Sequence, residues 1–173
     1  MKRRVVKFGG SLFPQEDVGA KFRFWLDSNS DMQNIIVVGG GKLADSVREM
    51  DLLLNDVQAH EMACLSMSIN AFVLGTCLIE GDLCDEIQRL NELKEPTVVF
   101  DPVPWILGCP EVPASWDFTS DSIAAKLAAE IDADELVLIK SRMGELDEPG
   151  FVDACFAEQS SSVKSIRVST LDE

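Results

Sequence analysis

The chain has 173 residues, 46% hydrophobic and 26% charged, the size of one globular domain that buries roughly two-thirds of its unfolded surface. Thirty Asp plus Glu against 15 Lys plus Arg give a net charge of −15, a field that repels nucleic acid and anionic membrane and excludes both as expected partners. The composition excludes wholesale disorder, and the reading finds no apolar run approaching the ~20 residues of a membrane span.

The basic start Met1–Arg4 leads through Val5-Val6 straight to Lys7 and two glycines. No signal-peptide apolar region is expected, and the start reads as mature protein. Arg4–Phe8 predicts a strand stopped by Gly9-Gly10-Ser11, followed by a helical pattern from Gln15 to Leu26. Ile35–Val38 is a continuous β-branched run, as in a strand buried on both faces. Gly39-Gly40-Gly41 ends it, and Leu43, Val47, Met50 and Leu54 then fall on one helical face. A helix is predicted over Val57–Leu78, with Met62, Leu65, Ile69, Phe72 and Thr76 as its stripe. It could serve as core or as an interface. Asp82–Leu93 predicts a third, more exposed helix, and Thr97–Phe100 a strand. The four prolines between Pro102 and Pro113 predict irregular chain. A helix from Ser120 through Ile131, a buried strand Leu136–Ile139 and a polar loop to Gly150 follow. A short helix within Val152–Gln159 and a last strand Ser165–Val168 complete the pattern.

Buried strands alternating with helices predict a three-layer α/β/α sandwich around a mostly parallel sheet, as a single domain over residues 1–173. Five widely spaced cysteines and one histidine, without C-x-x-C, argue against a zinc site or disulfide scaffold and point to a reducing, cytoplasmic setting. No metal site is expected.

Three motifs could carry chemistry. Lys7-Phe8-Gly9-Gly10-Ser11 puts a lysine at a strand end before two residues lacking Cβ. Ligands of parallel sheets collect at such ends, glycines let backbone approach a phosphate, and a lysine supplies charge. A glycine turn with a solvated lysine would look the same. Gly39-Gly40-Gly41 stands between a strand and a helix N-terminus, where anions bind. Gly39-x-Gly41-x-x-Ala44 also fits a relaxed dinucleotide fingerprint, but the acid expected about 20 residues on falls inside a helical pattern. Gly41-Lys42 lacks the rest of a P-loop. In Ser115–Ser122, Thr119 or Ser120 could cap a helix with Asp121 in its first turn, which leaves Trp116 and Asp117 unexplained. Lys140 follows a strand, either as a nucleotide contact or as a lone surface lysine. His60 and Cys64, four apart on a predicted helix, lack a third group and read as packing.

Taken in order, VVKFGGS (Val5–Ser11), IIVVGGGKLADSVRE (Ile35–Glu49) and TSDSIAAKLAAEIDADELVLIK (Thr119–Lys140) resemble the amino acid kinase family, which includes acetylglutamate kinase, aspartokinase and uridylate kinase. Within it, SWDFTSDS looks most like the kinases of methanofuran biosynthesis that phosphorylate an aminomethylfuran methyl phosphate. The resemblance implies a carbamate/amino acid kinase-like fold and an ATP-dependent phosphotransferase with Mg²⁺ accompanying the nucleotide. Its acceptor would be a small phosphorylated or carboxylated metabolite, here an aminomethylfuran phosphate of a C1-carrier pathway. It implies catalytic Lys7 and Asp121, nucleotide contacts from Gly9, Gly10, Ser11, Lys140 and Ser141, and acceptor contacts from Gly39, Gly40, Gly41, Asp117, Thr119 and Ser120. It also implies a homo-oligomer. The chain departs from the family after Ile139: Lys140-Ser141-Arg142-Met143-Gly144 replaces a Thr/Ser-Asp-x-x-Gly stretch, and the nucleotide half is expected to be abbreviated. That departure supports the alternative, a catalytically inactive member acting as a ligand-binding or assembly subunit.

Overall fold

The β-branched runs form one parallel sheet whose strand order brings distant segments side by side. The computed structural model describes residues 2–50, 54–79 and 81–172. In chain order the elements are β1 (Arg3–Phe8), α1 (Val18–Ser28), β2 (Gln33–Val38), α2 (Gly41–Glu49), α3 (Asp56–Val73), β3 (Asp82–Cys84), α4 (Ile87–Leu90), β4 (Thr97–Phe100), α5 (Val103–Leu107), α6 (Ser120–Glu130), β5 (Glu135–Ile139), α7 (Phe156–Gln159) and β6 (Ile166–Ser169). A 3-10 turn, Gly10–Leu12, follows β1, and α3 runs on into a wider π turn, Leu74–Leu78. The sheet order is β3-β4-β2-β1-β5-β6, with every pairing parallel.

The period of two along each strand divides the core into two layers. Val5, Ile35, Val37, Val98, Leu136 and Leu138 meet α6 and α5 on one face. Val6, Phe8, Ile36, Val38, Val137 and Ile139 meet Phe22, Trp25 and Leu26 of α1 on the other. The predicted three-layer sandwich is therefore present. The chain leaves β1 toward β2, and after β4 it crosses to β5 on the opposite side of β1. Such a reversal opens a crevice outside the carboxyl ends of the strands.

The amino ends are closed by charge pairing. Arg4, 4% exposed, lies against Glu135 and Asp31 and donates to the Asn29 carbonyl at 2.9 Å. The basic start is thus partly structural, because a buried guanidinium needs this many acceptors.

The structure corrects several local readings. Asp82–Cys84 is an edge strand and only Ile87–Leu90 is helical; pairing with β4 overrides the helical spacing. Helix α2 stops at Glu49, so Leu54 is not on its face, while Leu43 and Met50 are exposed and only Val47 is buried. Residues 51–53 between them lie outside the described residues. The proline-rich stretch holds the short helix α5, and the helix read within Val152–Gln159 is only Phe156–Gln159. In α3 the core face is Ala59, Cys64, Met67 and Ala71, and the stripe Met62, Leu65, Ile69 and Phe72 faces outward. Contrary to the reading of apolar runs, Asp56–Leu78 is 23 residues and by length and composition long and apolar enough to cross a membrane. Here its inner face packs into the domain core.

Candidate active site

Three charged side chains converge where the sheet reverses. Lys7 is the penultimate residue of β1, Lys140 directly follows β5, and Asp121 lies in the first turn of α6. Parallel pairing sets Phe8 opposite Ile139, which brings the two lysines to the same end. Asp121 stands between them. Its Oδ2 accepts a hydrogen bond from Lys140 Nζ at 2.8 Å, and its Oδ1 lies 2.9 Å from Lys7 Nζ. The Lys7 contact is an ion pair without hydrogen-bond direction, so Oδ1 has no aligned donor. Lys140 also donates to the Phe151 carbonyl, and its Nζ sits 4.8 Å from the centre of the Phe151 ring.

Lys7 and Asp121 are each 6% exposed. Burial pushes the Asp121 carboxyl up, but the two ammonium groups outweigh it and hold it below the ordinary carboxylate value. Burial, then the nearby Lys7 charge, lower the Lys140 ammonium against the pull of Asp121. Two cations share one anion, so this end of the cleft is positive within a chain of net charge −15.

The two glycine loops touch. A Cβ on Gly10 would stand 2.3 Å from Gly41 N and 2.4 Å from Gly39 O, and Gly41 takes φ +53°. Only glycine allows that approach together with a left-handed backbone. Asn70 of α3 donates its Nδ2 to the carbonyls of Gly39 and Gly40 at 2.8 and 2.9 Å, pinning the second loop from behind.

A cleft of about 490 Å³ opens over these groups. Lys7, Gly9, Gly10, Ser11, Gly39, Gly41, Thr119, Ser120, Lys140 and Ser141 line it. Gly40 lies behind the wall, where a Cβ would meet Ser66 Oγ at 2.3 Å. Asp121 is beneath the surface, holding the lysines. Asp117 is exposed and does not line the cleft. Trp116 does, and Arg48 of α2 lies 4.3 Å from the centre of its ring. Asp45, Asp56 and His60 complete the mouth, over a floor that includes Met67, Phe118 and Ile123.

Neither Thr119 nor Ser120 caps α6 with its own side chain. The cap comes from Asp153. One of its oxygens accepts from Thr119 N at 3.0 Å, Thr119 Oγ1 at 2.7 Å and Ser122 N at 3.0 Å, and the other accepts from Ser122 Oγ. Asp153 and Asn70 escape sequence reasoning because neither lies in a motif, and Arg48 does because nothing singles it out within the Ile35–Glu49 segment. The His60–Cys64 pair is real, with Nε2 and Sγ 3.6 Å apart. Burial and nearby acids push the Cys64 thiol up to about 12, so it stays protonated and its packing role stands.

Known proteins resemble this chain in sequence and in fold. The sequence profile of the amino acid kinase family matches residues 2–153. The (5-(aminomethyl)furan-3-yl)methyl phosphate kinase of Methanocaldococcus jannaschii is 26% identical over 151 residues, covering 84% of this chain and 69% of that protein. Among solved structures, the UMP kinase of Ureaplasma parvum superposes with a TM-score of 0.71 at 18% identity, covering 99% of this chain and 91% of that one. The uridylate kinase of Archaeoglobus fulgidus gives 0.71 at 20% identity, covering 99% and 92%. The aspartate kinase of Synechocystis gives 0.72 at 14% identity, covering 99% of this chain and 38% of the other. At such identities the structural likeness establishes the shared fold.

Proposed function

This chain belongs to the amino acid kinase family, and from that premise we propose that it is an ATP-dependent kinase of a small phosphorylated or carboxylated metabolite, working as a single domain. The observation that carries this reading is the buried Lys7–Asp121–Lys140 group at the carboxyl ends of β1 and β5, beside two touching glycine loops. Phosphoryl transfer asks mainly for positioning and charge neutralisation. In the proposed reaction an acceptor oxygen bonds to the γ-phosphorus of ATP while the bond to the β-bridging oxygen breaks, releasing ADP. Lys7 neutralises the transferring group, and Asp121 holds both lysines in place. Gly9, Gly10, Ser11, Lys140 and Ser141 face the donor phosphates. The loop Gly39–Gly41, with Thr119 and Ser120, faces the acceptor. Asp117 reaches the acceptor only if its loop turns inward.

Among the described residues no group of three or more His, Cys, Asp or Glu is placed to hold a metal ion. We therefore place Mg²⁺ on the nucleotide, held by phosphate oxygens, where it neutralises developing charge.

The finer reading follows the relative from Methanocaldococcus jannaschii, with an aminomethylfuran methyl phosphate as acceptor. The cleft supports it chemically. Its phosphate would meet the cationic end, its ring the floor and Trp116, and its amine Asp45 and Asp56 at the mouth. ATP consumption with this compound, UMP, aspartate and acetylglutamate tests it. Turnover confined to UMP or an amino acid removes the furan acceptor, and ATP binding without turnover of any compound favours a second reading. In that reading the protein is a non-catalytic ligand-binding or assembly subunit. Lys140 favours it, since its ammonium already serves Asp121 and the Phe151 carbonyl.

We further propose a cytoplasmic homo-oligomer formed through α3. Val57, Leu65, Ile69 and Phe72 are more than half exposed, and no charged residue stands between Met62 and Ile79. Two copies each carrying −15 repel least through an uncharged face, and a helical stripe is self-complementary about a two-fold axis.

A further inference from the structure

The segment after the polar loop does more than link β5 to β6. Within five residues it contacts both halves of the charged centre. The Phe151 carbonyl accepts from Lys140 Nζ, the Asp153 carboxylate takes four hydrogen bonds from Thr119 and Ser122, and Cys155 N donates to the Asp117 carbonyl at 2.9 Å. Thr119 and Ser122 flank Asp121 on the first turn of α6. Lys140 and α6 are separate elements. The apolar core packs α6 on β5, and at the charged end this segment adds polar contacts to both beside the Asp121–Lys140 bond.

We propose that Asp153 is a positioning residue of the Lys7–Asp121–Lys140 centre: the segment 151–155 clasps Lys140 to the first turn of α6, and that clasp keeps Asp121 between the two lysines. A cap drawn from within the helix would satisfy the same N–H groups but would not tie the first turn of α6 to the segment that holds Lys140. A cap from 31 to 34 residues away does. The carboxylate is suited to this, since both oxygens accept and charge-assisted hydrogen bonds are the stronger kind. The groups facing Lys140 are Asp121, Lys7, Asp153, the Phe151 carbonyl and the Phe151 ring, and the Arg142 guanidinium also lies 5.1 Å from the centre of that ring.

The test uses the full chain with Asp153→Ala, Asp153→Asn and Ser122→Ala, the last two kept in case the first does not fold. Each folded protein is labelled with limiting acetic anhydride between pH 7 and 10. Modification of Lys140 is counted by mass spectrometry against exposed Lys94. Loss of the clasp uncovers Lys140 and removes the lesser of the two anions, Asp121 and Asp153, that favour its ammonium. Labelling of Lys140 should then rise about tenfold in Asp153→Ala, the effect of one unit in its titration, and less in Asp153→Asn, which keeps an accepting oxygen. In phosphotransfer, kcat should fall about tenfold because Asp121 no longer aims Lys7 at the transition state, and the KM for ATP should rise severalfold because the displaced Lys140 is a nucleotide contact. A lowered melting temperature with unchanged Lys140 labelling would make Asp153 an ordinary cap and overturn the proposal. The labelling arm stands apart from the kinase reading: an inactive wild-type protein would refute that reading and leave the clasp decided by labelling.

Discussion

Replacing Asp121 by Asn isolates the central feature of the site. The side chain keeps its shape, but two buried ammonium groups lose the one anion between them. Asp121 is 6% exposed, with Lys7 at 2.9 Å and Lys140 at 2.8 Å. Removing one partner of a buried ion pair costs about 3–5 kcal/mol, against a total stability of roughly 5–15 kcal/mol for a domain. Asp121→Asn should therefore fold, but near its limit, when followed by urea denaturation at pH 7. The deficit should depend on pH in both directions. In the wild type the Asp121 carboxyl is held below the ordinary carboxylate value. Its contribution is present above the unfolded value and is lost as pH falls through the folded one. The gap to the variant should thus narrow in acid. In the variant the already lowered Lys140 ammonium is lowered further. Between its folded value and the ordinary lysine value the unfolded chain binds more protons, so stability rises with pH and the gap narrows again. A double variant Asp121→Asn/Lys140→Met should recover more than half of the lost stability while phosphotransfer stays about 10²–10³-fold down, the usual loss of an electrostatic transition-state contact. A deficit under about 1 kcal/mol at pH 7, flat from pH 4 to 10, would refute the shared-anion account.

The remaining predictions concern single contacts. Lys7→Ala should keep the fold, since Asp121 retains Lys140, and should lower kcat about 10²–10³-fold with a smaller change in KM; an unchanged kcat in steady-state assays would make Lys7 purely structural. Lys140→Ala should weaken ATP binding by about 1–2 kcal/mol and leave acceptor binding nearly unchanged in calorimetric titration, whereas equal ATP affinity would show that Lys140 serves Asp121 alone. Ile69→Glu puts a charge on the outward stripe of α3, and sedimentation velocity should show the oligomer falling to monomers with the domain's melting transition retained. A wild type that sediments as a monomer at high concentration removes that interface.

The strands were legible because their signal is local. Ile35–Val38 and Leu136–Ile139 are runs of β-branched and leucyl residues whose only comfortable setting is a sheet covered on both faces, and both are fully buried. The glycine loops were legible for a similar reason, since consecutive residues without Cβ at strand ends need a close approach. Lys7 and Asp121 could be picked out by place, at a strand end and a helix start. Four further features depended on the tertiary structure. The segment from Asp82 has helical spacing but became β3, because hydrogen bonding to β4 satisfies its backbone at the sheet edge. The apolar stripe of α3 turned outward, since spacing marks a face but not the side the sheet lies on. Lys140, ambiguous in the chain, became a partner of Asp121, and Asp153 the cap of α6, only once the crossover from β4 to β5 set β5 beside β1. Propensity and periodicity act over a few residues and determine most of the elements. Charge pairing between residues 19 to 114 positions apart is decided by the order in which strands join the sheet.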